Sequence, residues 1–72
     1  MAPLQTVSGI LRWCDRHDFY IERPNDDPLL LLDLPWRMIG RADDLLHQQV
    51  SLHGWFESST LFAVHSLAAA DN

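Results

Sequence analysis

The residues of this chain that could carry chemistry begin with a thiol and an imidazole one helical turn apart. Cys14 and His17 have the spacing of half a zinc site or of a thiolate–imidazole pair. A structural zinc site takes four ligands, usually as two close pairs. The other histidine pair, His47 and His53, would project from different faces of a helix. We therefore expect no bound metal and no cofactor, and we expect Cys14 to be a buried, unligated apolar side chain.

The rest of the sequence lacks the residue patterns that usually indicate nucleophilic catalysis or phosphate binding. The three glycines, Gly9, Gly40 and Gly54, are isolated and form no phosphate-binding loop. Ser–His–Asp spacing and paired carboxylates on an obvious cleft are absent, and nothing orients a base beside Cys14. The sequence predicts a protein that is not an enzyme, and a metal or thiol protein built on Cys14 and His17 is the weakest alternative.

The bulk composition is that of one small domain spanning residues 1–72. Hydrophobic residues make up 47% of the chain and charged residues 21%, an ordinary globular balance. A formal net charge of −5 would repel a phosphate backbone, so we expect no nucleic-acid partner. No window approaches the roughly 18 apolar residues that cross a bilayer, and no export signal is visible, so we expect no membrane partner. The single cysteine is typical of a reducing compartment and predicts a cytoplasmic protein.

The elements that would position these residues are predicted to be helices. Apolar side chains recur at intervals of three and four along 4–17, 35–53 and 59–70, which is the helical period. Asp33 is placed to cap the long second helix and Gly54 to end it. The expected fold class is mainly α, a small bundle of three to four helices.

Residues 19–34 have a different pattern. Apolar and polar residues alternate over Phe19–Arg23, which indicates a short extended stretch, and Pro24–Pro28 is dense in turn formers. Two structures compete for Leu29–Leu34. We favour a short helical turn, and the alternative is a strand that pairs with Phe19–Arg23 as a two-stranded hairpin.

Tryptophan and arginine mark the candidate binding surface, because these residue types are the most enriched in the energetic centres of protein interfaces. Trp36 lies beside Arg37 and Arg41 in the sequence, and Trp55 also projects from the polar side of the predicted helix. These four residues are the predicted partner-binding set. The alternative for Trp36 is that its indole folds back over the Leu29–Leu34 run.

Surplus apolar surface on the predicted helices suggests self-association. The apolar arc of the long helix spans about 160°, which is wider than the roughly 100° that a surface helix buries. Pairing with a second copy would cover the excess, so we expect a homodimer. The predicted dimer seam consists of Met38, Leu45, Gln49, Leu52, Phe56, Leu61 and Phe62.

Small size, acidic charge and the lack of a catalytic pattern favour a protein that works by binding. The leading hypothesis is a small intracellular protein–protein interaction module, an inhibitor or regulator of the phage-encoded or antitoxin-like kind, that occupies the surface of a partner protein. The alternative is a helical module that holds a small ligand between its helices, lined by Trp13, Tyr20 and the histidines.

Overall fold

The computed structural model describes residues 3–13, 18–23 and 29–70, and in these parts the chain forms a closed barrel of five strands. The strands are β1 (Gln5–Trp13), β2 (Phe19–Glu22), β3 (Leu30–Asp33), β4 (Gln49–Phe56) and β5 (Leu61–Ala69). Between β3 and β4 a 3-10 turn, Trp36–Met38, leads directly into a short helix, α1 (Ile39–Asp44).

The strand order around the barrel is β1-β2-β3-β5-β4, and pairing of β1 with β4 closes it. All neighbouring strands are antiparallel except β3 and β5, which run parallel. A closed five-stranded barrel of this kind is the architecture of the OB-fold. No helix in the described part of the chain is long and apolar enough to cross a membrane.

The predicted mainly α bundle is wrong. Strands hold 58% of the described residues, and the helical part is a single segment of 9 residues. The predicted helix over 4–17 is strand β1 as far as Trp13, and the one over 59–70 is strand β5. The predicted helix over 35–53 is helical only as far as Asp44, and its second half belongs to β4.

The period of the buried side chains explains this error in β1. Val7, Gly9 and Leu11 follow each other at every second position and face the barrel interior. Ile10 points outwards and is half-buried, and together with Val7 and Leu11 it imitates the helical spacing of three and four. The β-branched residues in this stretch pack well on a pleated strand, and in a short segment they decide the structure.

Of the two alternatives for residues 29–34, the hairpin forms and the favoured helical turn is wrong. The extended stretch predicted from alternation at Phe19–Arg23 is strand β2, and it pairs with β3. Tyr20 lies opposite Leu31 and Ile21 opposite Leu30. Burial of every second leucine in β3 outweighs the weak β-propensity of leucine. The predicted turn at Pro24–Pro28 lies outside the described residues.

The core fills the barrel and is sealed at one end by α1. Its fully or almost fully buried apolar residues are Leu11, Phe19, Ile21, Leu30, Leu32, Ala42, Leu45, Val50, Leu52, Phe62 and Val64. Close-packed side chains from all five strands therefore share one apolar interior.

The predicted dimer seam does not exist as a helical face, because its residues are distributed over the barrel. Leu45, Leu52 and Phe62 are buried in the core of a single chain. Met38 and Leu61 are half-buried, whereas Gln49 and Phe56 are exposed. The helical argument for a homodimer no longer applies, and self-association itself stays a prediction.

Candidate functional site

A row of three side-by-side residues crosses the outer face of the barrel from β4 to β3. Trp55 on β4 lies opposite Ala63 on β5, and Ala63 lies opposite Asp33 on β3. Each of the three directly follows a buried residue of its strand (Leu32, Gly54 or Phe62), so these three side chains share the outer surface. Because alanine is small, the row has an indole at one end, a carboxylate at the other and a low floor between them.

This row is the centre of a groove of about 240 Å³. Its lining residues, which together define the Trp55 groove, are Asp33, Pro35, Arg37, Trp55, Ala63, Val64 and His65. The ring of His65 lies beside that of Trp55, with centroids 6.4 Å apart and planes tilted by 39°. One wall of the groove is therefore aromatic.

A β-bulge places His65 at this wall. The pairing of β4 with β5 changes from His53 opposite Ser66 to Gly54 opposite Val64, which leaves His65 as an extra residue. An extra residue in one strand redirects its side chain and increases the local twist. The exposed His65 thus joins Trp55 on the outer surface.

The segment after β3 forms the rim of the groove across from the aromatic wall, and its Trp36 side chain is exposed to solvent. Pro35 begins the 3-10 turn, where the Met38 amide donates to the Pro35 carbonyl at 2.9 Å. The Trp36 side chain between the groove residues Pro35 and Arg37 is 84% exposed. The alternative in which Trp36 folds back over the leucine run is therefore wrong.

Two carboxyl groups meet at the acidic end of the groove. The side chains of Asp33 and Glu57 are hydrogen-bonded to each other, and this bond raises the pKa of Glu57 above its ordinary value of 4.5. Partial desolvation and the negative charge of Asp33 raise the pKa of Glu57 further. Glu57 therefore shares its proton with Asp33 below the raised pKa, and above that pKa Glu57 adds a negative charge to this end of the groove.

Arg37 lies at the groove rim, and no described contact uses it to neutralise that charge. Among the described residues, Arg37 forms no ion pair with Asp33 or Glu57. The groove therefore offers an aromatic wall, an acidic end and a separate guanidinium at its rim.

The structure brings together part of the predicted partner-binding set. Arg37 and Trp55, which are distant in the sequence, line one groove, and Trp36 lies at its rim. Arg41 lies on α1 and is not part of the lining. Asp33 and His65 were missed as groove residues, because only the strand pairing shows that they share a face with Trp55.

A second cavity of about 270 Å³ lies where α1 meets the barrel. It is lined by Trp13, Phe19, Ile39 and Asp43. Of the side chains predicted to hold a small ligand, Trp13 lines this cavity, whereas Tyr20 points to the outer face of β2.

The described residues contain no group of three or more metal-ligating side chains. The predicted candidates for metal or thiol chemistry, Cys14 and His17, lie outside the described residues. The expectation that Cys14 is buried therefore stays a prediction.

The described residues thus form a small closed β-barrel with an aromatic, partly acidic groove on its outer face. No protein family, no curated protein and no solved structure matches this chain.

Proposed function

We propose that this protein is a small protein-binding module that acts as an inhibitor or regulator by occupying the surface of a partner protein. The observation that carries the proposal is the exposure of Trp36, at 84%, on the rim of a groove that also contains Trp55 and Arg37. Tryptophan and arginine are the residues that most often dominate the binding energy of protein interfaces. The barrel core is filled without Trp36, so folding does not account for its position.

The charge distribution favours a protein partner over a nucleic acid. OB barrels that bind oligonucleotides use the face formed by strands 2 and 3. In this chain Arg12, which lies next to β2 on strand β1, is already engaged: it lies 3.8 Å from the Glu22 carboxylate and donates to His47 Nδ1 at 2.7 Å. The chain's net charge of −5, with ten acidic residues against five arginines, also repels a phosphate backbone.

A small ligand is the weaker candidate for the function. The cavity at Trp13 and Phe19 is about 270 Å³, slightly below the usual range of roughly 300–1,000 Å³ for ligand pockets.

We place the protein in the cytoplasm, because a single cysteine is typical of chains that work in a reducing compartment.

The proposal is tested by site-specific photocrosslinking in the cells that make the protein. A photoreactive phenylalanine analogue replaces Trp36 in one variant and Ser8, which is exposed on β1, in the control variant. We expect one adduct of defined mass from position 36 and none from position 8. Identical adducts from both positions, or none from position 36, would overturn the proposal.

A second variant separates binding from folding. Trp36→Ala should abolish co-purification of the crosslinked partner while the midpoint of thermal unfolding stays unchanged, because substitutions at exposed sites rarely change stability by more than about 0.5 kcal/mol. Partner binding that survives Trp36→Ala would show that the groove rim is not the contact surface.

A further inference from the structure

The row Trp55–Ala63–Asp33 leaves a slot whose two walls differ in chemistry. Two strand spacings separate the backbones of Trp55 and Asp33, or about 10 Å in all. Ala63 forms the floor and is 8% exposed. A flat group that lies over Ala63 would therefore contact an indole on one side and reach a carboxylate on the other.

The acidic wall is stronger than one carboxylate. Glu57 is hydrogen-bonded to Asp33, and at neutral pH the pair has no cationic partner among the described residues. Two neighbouring carboxylates attract a cation, because an opposite charge nearby stabilises their ionised form. An indole face attracts the same cation through its ring electrons, provided that the cation lies within about 6 Å.

We propose that the Trp55 groove binds an arginine side chain of the partner protein, stacked on the Trp55 indole with its guanidinium against the carboxylates of Asp33 and Glu57. This inference rests on the proposed function and names the chemistry that the partner must present. Arginine is preferred to lysine because its planar guanidinium both stacks on an aromatic face and forms paired hydrogen bonds with a carboxylate.

The chain's own Arg37 does not occupy the position proposed for the arginine of the partner. It lines the groove but forms no ion pair with Asp33 or Glu57, so the slot is open to an external cation. The positive charge of Arg37 repels a second guanidinium and so weakens its binding. Because Arg37 is not paired with Asp33 or Glu57, it can contact an acidic group or a carbonyl on the same partner.

The experiment is an NMR titration of the full chain with small arginine probes. The three tryptophans give three indole N–H signals, of which that of Trp13, which is not part of the groove lining, serves as the internal reference for Trp55. N-acetyl-arginine amide should shift the Trp55 signal, and N-acetyl-lysine amide should bind more weakly. N-acetyl-citrulline amide, which has the same shape without the charge, should leave the signal in place.

Matched variants identify the groups responsible. Asp33→Asn with Glu57→Gln removes both charges and keeps the shape, and we expect arginine-amide affinity to fall by about twofold to fivefold. The control, Asp43→Asn with Asp44→Asn, makes the same change in net charge on α1 and should leave the affinity unchanged. Arg37→Gln should strengthen binding.

Three results would overturn the inference. The first is an equal response to arginine and citrulline amides, and the second is the absence of any response at Trp55. The third is a response to N-acetyl-aspartate amide that disappears in Arg37→Gln, which would make the groove an anion site. If position 36 still crosslinks a partner when the arginine probe fails, only this inference fails. If arginine amide binds and no partner crosslinks, the proposed function fails instead.

Discussion

At the scale of single residues, the Asp33–Glu57 pair gives the protein a stability that depends on pH. The hydrogen bond that protonated Glu57 donates to Asp33 raises the pKa of Glu57 above 4.5, so the folded state retains a proton that the unfolded chain releases. The stabilisation from this shared proton is complete below the ordinary pKa and is lost as the pH rises through the raised pKa.

The variant Glu57→Gln should therefore be more stable than the parent at neutral pH and similar to it in acid. Its amide can donate to Asp33 at every pH, whereas the glutamate of the parent becomes a repelling charge. Thermal unfolding midpoints at about pH 4 and pH 7 measure the difference. A constant gap between the two proteins at both pH values would contradict the shared proton.

His47 is a second residue whose local geometry has a measurable consequence. Its φ of 67° lies in the left-handed region, which costs roughly 1–2 kcal/mol for a residue with a Cβ atom. His47→Val and His47→Gly both lose the hydrogen bond from Arg12, but only glycine relieves the backbone. In urea unfolding, the valine variant should be less stable than the glycine variant by at least about 1 kcal/mol. Equal stabilities would show that the backbone at position 47 carries no strain.

At the scale of elements, close contact between β4 and β5 requires a glycine at position 54. A Cβ atom there would overlap the backbone of Ala63 and contact the Phe62 ring. Gly54→Ala should therefore destabilise the barrel by about 1–3 kcal/mol or more, as overpacking does. The matched control is Gly40→Ala on α1, where a Cβ atom meets nothing within 4 Å.

The control should move stability in the opposite direction. Alanine in a helix is favoured over glycine by about 0.8–1.0 kcal/mol, so Gly40→Ala should raise the free energy of unfolding. Urea unfolding of both variants gives the comparison. If Gly54→Ala were as stable as the parent, the two strands would not approach as closely as described.

The same elements show which parts of the fold could be predicted from sequence. Alternation at Phe19–Arg23 predicted β2, because an isolated period of two has no helical competitor. In β4, the buried Val50 and Leu52 follow Leu45 after the turn at His47, and the combined spacing imitates a helix. At His47 the chain passes through the left-handed region without the glycine or asparagine that usually marks a helix end, so the end of α1 had no clear sequence signal.

At the scale of the whole molecule, barrel closure decides both the core and the Trp55 groove. Residue type alone selected Trp36, Arg37 and Trp55, since their chemistry suits interfaces. Asp33 and His65 could not be predicted with them, because β3 and β4 meet β5 only after distant parts of the chain have paired. Such non-local pairing leaves no local pattern in the sequence.

Leu52 tests whether the barrel is the unit that folds. It is fully buried and packs in the core of one chain, whereas the predicted seam would have placed it between two copies. Leu52→Ala should cost about 2–5 kcal/mol, as for other leucines removed from a core. A domain of this size has few kcal/mol to lose, so the variant should be partly unfolded at room temperature.

The way the unfolding midpoint depends on protein concentration shows whether Leu52 lies in the core of one chain or between two copies. For a core residue, the change in unfolding midpoint caused by Leu52→Ala is the same at low and high protein concentration. For a residue between two copies, the change grows or shrinks with concentration, because assembly and folding are then linked by mass action. We expect the first result from thermal unfolding over a hundredfold range of concentration, with Trp36→Ala as the variant of an exposed site. A concentration-dependent change for Leu52→Ala would return that residue to an interface and contradict its place inside the barrel.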